Sequence, residues 1–241
     1  MKKINLSKTT ATLAAGVLGL SVLAVSLVSS AQAIESAVRI PAPSNLPASA
    51  PVANSETAVL AGGCFWGVQV VFQHTVGVTQ ALSGYAGGSK QNATYSMVES
   101  GGTGHAESVK ITFDPHKISY GKILQIYFSI VQDPTELNRQ GPDVGSQYRS
   151  AIFYQNEQQK RIATDYIAQL DAAKVYPAHI VTQVTPLPVD GFYAAESYHQ
   201  DFATLHPQQA YIAHFDLPKL ENLKQLFPTE YRAKAVTVAA Q

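Results

Sequence analysis

The stretch Thr57-Ala58-Val59-Leu60-Ala61-Gly62-Gly63-Cys64-Phe65-Trp66-Gly67-Val68-Gln69-Val70-Val71-Phe72 reads as a buried strand, a glycine turn and the start of a helix. It holds the one cysteine and the one tryptophan of the 241-residue chain. A thiol in such a turn meets unpaired backbone N–H groups and the positive end of the helix dipole, which stabilise a thiolate and lower its pKa. Phe65 and Trp66 supply an apolar wall beside it, and the glycines allow backbone that a side chain would forbid. The competing reading is an inert cysteine, since free thiols are common in cores. A space-filling Cys has no need of glycines on both sides, so Cys64 is read as a nucleophile.

N-terminal to this stretch, Lys2, Lys3 and Lys8 precede an uncharged, largely apolar run over residues 11–28, and Ala31-Gln32-Ala33 is a small-x-small cleavage signal. The pattern predicts a secretory signal peptide over residues 1–33, cut after Ala33, and hence an exported protein, periplasmic or extracytoplasmic. An uncleaved anchor is the rival, because about 18 apolar residues approach the length that spans a bilayer. Gly16, Gly19, Ser21 and Ser26 dilute the run. No later segment is as apolar, so the mature chain is expected to have no stable membrane association. Cleavage takes three lysines and no acid from a chain with 17 basic and 17 acidic residues, leaving a formal net charge of −3. That balance offers no basic field for nucleic acid or anionic lipid. One cysteine also excludes an internal disulfide framework.

Residues 34–56, rich in Pro, Ala and Ser, read as a mobile spacer; residues 57–230 as the folded domain; residues 231–241 as a tail. Within the domain Glu107, Val109, Ile111 and Phe113 alternate with polar residues as in a strand. Residues 119–132 carry a helical apolar face, residues 133–147 form a polar loop broken by Pro and Gly, and residues 151–154 form a short strand. Asn156-Glu157-Gln158-Gln159 resembles a capping box before a helix with Ile162, Tyr166, Ile167 and Leu170 on one face. Residues 179–184 read as another strand, and a last helix follows Asp216. Interleaved strands and helices predict one α+β domain, with helices packed on a small mixed sheet.

Three further sets of residues carry chemistry. Glu107 shares a strand face with Val109, Ile111 and Phe113, so its carboxyl points toward apolar surroundings that raise its pKa and suit a general acid; a strand-end Glu reaching solvent is the alternative. Tyr95, Tyr148 and Asp143 lie in or between Gly-rich runs, and phenolic O–H groups donate to oxygens that gain negative charge. His179, His199, His206 and His214 lack ligand spacing, which argues against a metal site. His105 or His199 as a base for Cys64 would make a cysteine hydrolase. A module that binds Met-rich peptides through Phe65 and Trp66 is a third class, and it would survive loss of the thiol.

Four segments together resemble the peptide methionine sulfoxide reductases of the A type: Gly63-Cys64-Phe65-Trp66-Gly67, Gly104-His105-Ala106-Glu107, Gly141-Pro142-Asp143 running on to Gln147-Tyr148-Arg149-Ser150, and Ala195-Glu196 with His199-Gln200. They span nearly the whole domain in the family's order. The resemblance implies a two-layer α/β sandwich of ferredoxin-like plan with long loops, and reduction of the S epimer of methionine sulfoxide in proteins or peptides. It implies that Cys64 attacks the sulfoxide sulfur, that Glu107 protonates its oxygen, and that Tyr95 and Tyr148 hold that oxygen. Phe65 and Trp66 would wall the methyl pocket, while Asp143 orients substrate or water. It implies no metal or organic cofactor. Many members resolve the resulting cysteine sulfenic acid with further cysteines near the C-terminus. This chain has none, and so resembles the single-cysteine branch, acting as a monomer that needs an external thiol donor, thioredoxin-like or small.

Overall fold

The structure, a computed structural model, describes residues 37–46 and 53–238, and the expected signal peptide lies outside them. The chain opens with β1 (Glu56–Ala61), turns through Gly62 and Gly63, and enters α1 (Phe65–Gln73). Next come β2 (Val78–Ala86), the one-turn α2 (Tyr95–Val98) and β3 (Ala106–Phe113). Helix α3 (Tyr120–Ile126) is capped by the Ser119 hydroxyl and runs on as a π-helical turn, Tyr127–Val131. A two-residue ladder of β4 (Arg139–Gln140) with β5 (Asp143–Val144) interrupts the expected loop. There follow β6 (Ala151–Tyr154), α4 (Glu157–Ala172), β7 (Gln183–Pro186), β8 (Phe192–Ala194), α5 (Phe202–Leu205) and α6 (Leu217–Leu226).

The main sheet has the order β7-β6-β1-β3-β2-β8. Its inner four strands, β6-β1-β3-β2, are mutually antiparallel. With α1 after β1 and α3 after β3, they make a ferredoxin-like βαββαβ core. Strand β7 extends one edge in parallel to β6, and β8 extends the other antiparallel to β2. Period-2 alternation sorts β1 cleanly. Ala58 and Leu60 join the helix-side core with Val68, Val71 and Phe72 of α1, whereas Val59 and Ala61 face a smaller cluster with Ala86, Ala106, Ala151 and Phe153. Both faces are therefore buried, which is why the strand reads as a continuous apolar run.

Two expectations are corrected. Residues 37–46, read as spacer, form a strap over α3 and α4. Ile40 is buried in the core, the Val38 N–H donates to Ser129 O at 2.9 Å, and Tyr166 Oη donates to Pro41 O at 2.6 Å. Composition hid this because the prolines leave carbonyls free to accept bonds from helix side chains. Over residues 231–238 the tail is bonded back to the domain. Arg232 N–H donates to His74 O, Val236 N–H to Gln73 O and Val238 N–H to Asp201 Oδ1. The strand expected over 179–184 sits later, at Gln183–Pro186. Ile180 and Val181 spend their N–H groups on Asp171 Oδ1 and Pro134 O, which removes them from a ladder. The capping box is half made: Asn156 Oδ1 accepts from Gln159 N–H, but the Gln159 amide bonds Gln155 N–H and Thr57 O instead of closing on Asn156.

Candidate active site

Cys64 occupies the N-cap of α1, partly open to solvent, and the Trp66 N–H donates to its sulfur. Two glycines build that turn for steric reasons. Gly63 has φ +86°, and a Cβ there would stand 2.7 Å from Gln140 Cβ. At Gly67 a Cβ would stand 2.3 Å from Asp216 Oδ1, so this glycine lets a carboxylate press against the first turn of α1. Glu107 lies second in β3, opposite Tyr85 in the β2 ladder, and is 3% exposed on the helix side as alternation predicts. Its Oε2 accepts the Phe65 N–H at 3.0 Å. The acid thus binds the first backbone donor of the helix that the thiol caps.

Burial pushes the Glu107 carboxyl up to about 8, against the pull of the Phe65 N–H and with added repulsion from Asp143, Glu99 and Asp216. It is a protonated acid at neutral pH. The expectation of a lowered thiol pKa is corrected. Burial pushes the Cys64 thiol well above its ordinary value, Glu107 and Asp216 add to this, and the Trp66 N–H opposes it without prevailing. The helix terminus does act as reasoned from sequence, but desolvation and neighbouring carboxyls outweigh one N–H bond and a half-charge of dipole. The free site therefore holds a neutral thiol beside a neutral acid.

The phenols converge on the same place. Tyr95 begins α2 and is pushed up to about 12 by burial, with Glu99, Glu107 and Cys64 among its neighbours. Tyr148 ends a short 3₁₀ turn, Ser146–Tyr148, and is raised by burial and by Glu107, Asp143, Cys64 and Tyr95. Both are neutral O–H donors at any working pH. Arg149 clamps this turn to the run before Glu107, donating to Gly104 O at 2.9 Å, His105 O at 3.1 Å and Ser146 O at 2.8 Å. Phe65 is 1% exposed and backs the site, whereas Trp66 is partly exposed and stacks on Phe202, 4.0 Å between ring centres. Asp143 lines a cleft with Cys64, Gln140, Tyr211, Phe215 and Lys219, and accepts a hydrogen bond from the Tyr211 hydroxyl.

Neither histidine weighed as a base serves Cys64. His105 accepts Gly88 N–H at Nδ1 and donates from Nε2 to Ser89 O, so both ring nitrogens are spent on backbone. His199 is buried among Phe65, Trp66, Tyr95 and Tyr198, and among the described residues neither of its nitrogens has a hydrogen-bond partner. Without an imidazole bonded to the thiol, the hydrolase reading fails. No cluster of three potential metal ligands occurs among the described residues.

Tyr211, Asp216 and Lys219 were not singled out from sequence, and neither was the part played by Glu196. Glu196 accepts the Tyr95 N–H at 3.0 Å and the Tyr85 O–H at 2.9 Å, while Gln200 bridges Gln69, Ser83 and Ala195. A buried Asp and Lys three apart in a helical stretch were visible as letters, but nothing local showed that they face residues some 150 positions earlier.

The chain matches the family described as peptide methionine sulfoxide reductase over residues 56–231. It is 60% identical over 184 residues to "Peptide methionine sulfoxide reductase MsrA 2" of Mesorhizobium japonicum, covering 76% of this chain and 93% of that protein. Against "Peptide methionine sulfoxide reductase MsrA" of Picrophilus torridus it is 49% identical over 172 residues, with 71% and 95% covered. Among solved structures, methionine sulfoxide reductase A of Corynebacterium diphtheriae aligns with TM-score 0.55 at 32% identity, over 70% of this chain and 84% of that one. Reduced Mxr1 of Saccharomyces cerevisiae aligns with TM-score 0.57 at 29% identity, over 66% and 90%. With the thiol, acid and phenols assembled in one place, the chain belongs to the peptide methionine sulfoxide reductase family, in its A type.

Proposed function

We infer that this reductase, acting on the S epimer of peptide methionine sulfoxide, works through Cys64 as nucleophile and Glu107 as general acid. The observation that carries the roles is the Glu107 carboxyl, buried, protonated and bonded to the residue beside the thiol. The Cys64 sulfur attacks the sulfoxide sulfur as Glu107 gives its proton to the sulfoxide oxygen, with Tyr95 and Tyr148 donating to that oxygen. The thiol proton returns to Glu107, methionine leaves, and the oxygen remains on Cys64 as a sulfenic acid. Trp66, with Phe65 behind it, accepts the substrate methyl, and Asp143 orients the substrate. With one cysteine in the sequence, an external thiol must take the sulfenic acid back to thiol through a mixed disulfide. The reaction calls for no metal or organic cofactor.

The N-terminal sequence supports export, so the thiol donor, thioredoxin-like or small, acts outside the cytosol and the substrates are oxidised exported proteins. Among the described residues no helix is long and apolar enough to cross a membrane. Incubation of a methionine sulfoxide peptide with the protein, without reductant, should release one methionine equivalent per chain and leave Cys64 reactive toward dimedone. Dithiothreitol should restore turnover, and Cys64→Ser should abolish it. Peptide-bond cleavage, or residual reduction above a few per cent in the Ser variant, would overturn the reading.

A further inference from the structure

The cleft at Cys64 is crowded with acids. Asp143 of β5 and Tyr211 line it, Glu107 of β3 and Asp216 from the segment before α6 act with Asp143 on the Cys64 sulfur through their charges, and the phenols of Tyr95 and Tyr148 feel the Cys64 charge in turn. Among the described residues one cation lines it, Lys219 of α6, which is 7% exposed. Its Nζ would stand 3.5 Å from a Cβ at Gly67, beside Asp216 Oδ1 and three residues from the thiol. Its charge also pulls the Asp143 carboxyl down, which places it within electrostatic reach across the cleft. A buried ammonium is costly and rare, and this one lines the same cleft as the thiol, the group that must become an anion during reaction.

We propose that the Lys219 ammonium is the counter-ion of the Cys64 sulfur, admitting a negative sulfur among three carboxyls when substrate is attacked. Gly67 leaves room for the Asp216 carboxyl at the helix terminus, where a Cβ would stand 2.3 Å from Asp216 Oδ1 and at ordinary contact distance, 3.5 Å, from the Lys219 Nζ. The proposal rests on Cys64 being the attacking sulfur. It assigns Lys219 an electrostatic part rather than contact with the substrate.

The test is the pH dependence of iodoacetamide alkylation, which reports thiolate and is unambiguous in a chain with one cysteine. Removing an opposite charge at this range should move the inflection of Lys219→Met upward by about one pH unit, a tenfold slower alkylation at any pH below it. Lys219→Arg should keep the inflection of the parent protein, and Asp216→Asn should lower it. If Lys219→Met fails to fold by circular dichroism, Lys219→Gln, which keeps a hydrogen-bond donor without charge, carries the same expectation. A folded neutral variant that titrates like the parent would overturn the proposal. So would a shift in Lys219→Arg equal to that in Lys219→Met, since a packing role explains that pattern. Alkylation consumes no sulfoxide, so its outcome is independent of turnover on a methionine sulfoxide peptide, which tests the reductase roles themselves.

Discussion

Glu107, at the start of β3, and Glu196, in the turn after β8, both lie against Tyr85 and end in opposite charge states. Tyr85 pairs with Glu107 in the β2–β3 ladder and gives its hydroxyl to Glu196. Burial would raise Glu196 too, but the Tyr95 N–H, its own backbone N–H and the Tyr85 hydroxyl all favour the anion, and the net direction is down. Glu107 accepts one backbone N–H, faces other carboxyls and is pushed up to about 8. Donor count set against burial therefore decides which acid can release a proton and which serves as a fixed anchor for the loop of Tyr95.

The sharpest way to break this contrast is Glu107→Gln, which keeps the shape but has no transferable proton. Turnover should fall by roughly 10²–10⁴-fold. In the parent protein activity should decline as pH rises through about 8, where Glu107 loses its proton. In the variant that limb should disappear. A full-activity Gln variant, or an unchanged limb, would reassign the acid.

A smaller loss is expected from Glu196→Gln. An amide offers one acceptor oxygen where the carboxylate offers two, so either the Tyr95 N–H or the Tyr85 O–H is left facing a donor. With Tyr95 less well placed, kcat should drop about tenfold, and stability should drop by about 1–3 kcal/mol. Steady-state kinetics and thermal melts read the two effects. Unchanged kcat would show that Tyr95 is held by its other contacts.

The smallest effect concerns stability against pH. The folded-state pKa of Glu107 is raised from 4.5 to about 8, so the folded form holds the proton longer than the unfolded one. Its favourable contribution is complete below about 4.5 and is lost as pH rises through about 8. The melting temperature of Glu107→Gln should accordingly match the parent near pH 4 and exceed it near pH 9. Parallel curves across that range would mean that the carboxyl ionises at its ordinary value.

Part of this was legible without coordinates, because some signals are local. The strand, turn and helix around Cys64 rest on an apolar run, two glycines and a second apolar run, and all three stand where they were read. Glu107 was legible through alternation alone, since a side chain two residues before Val109 shares its face. The strap over residues 37–46 was not, because its stability comes from Ile40 entering the core and from bonds made by Ser129, Tyr166, Gln125 and Gln169 far along the chain. Strand β8 was missed for a similar reason. Three residues carry no periodicity, and they are strand only because the edge of β2 offers them partners.

By itself the sequence determined the identity and spacing of the groups proposed to react: one thiol at a helix start, one acid on an apolar strand face, and no second cysteine. The direction of the thiol pKa was decided only by tertiary structure. A helix terminus is a local feature and predicts a lowered value. Desolvation and the field of Glu107, Asp143 and Asp216 are sums over residues brought together from four parts of the chain, and here that sum prevails. Charge interactions in a protein interior depend on distance and burial rather than on order along the chain, so they become readable when the fold sets both.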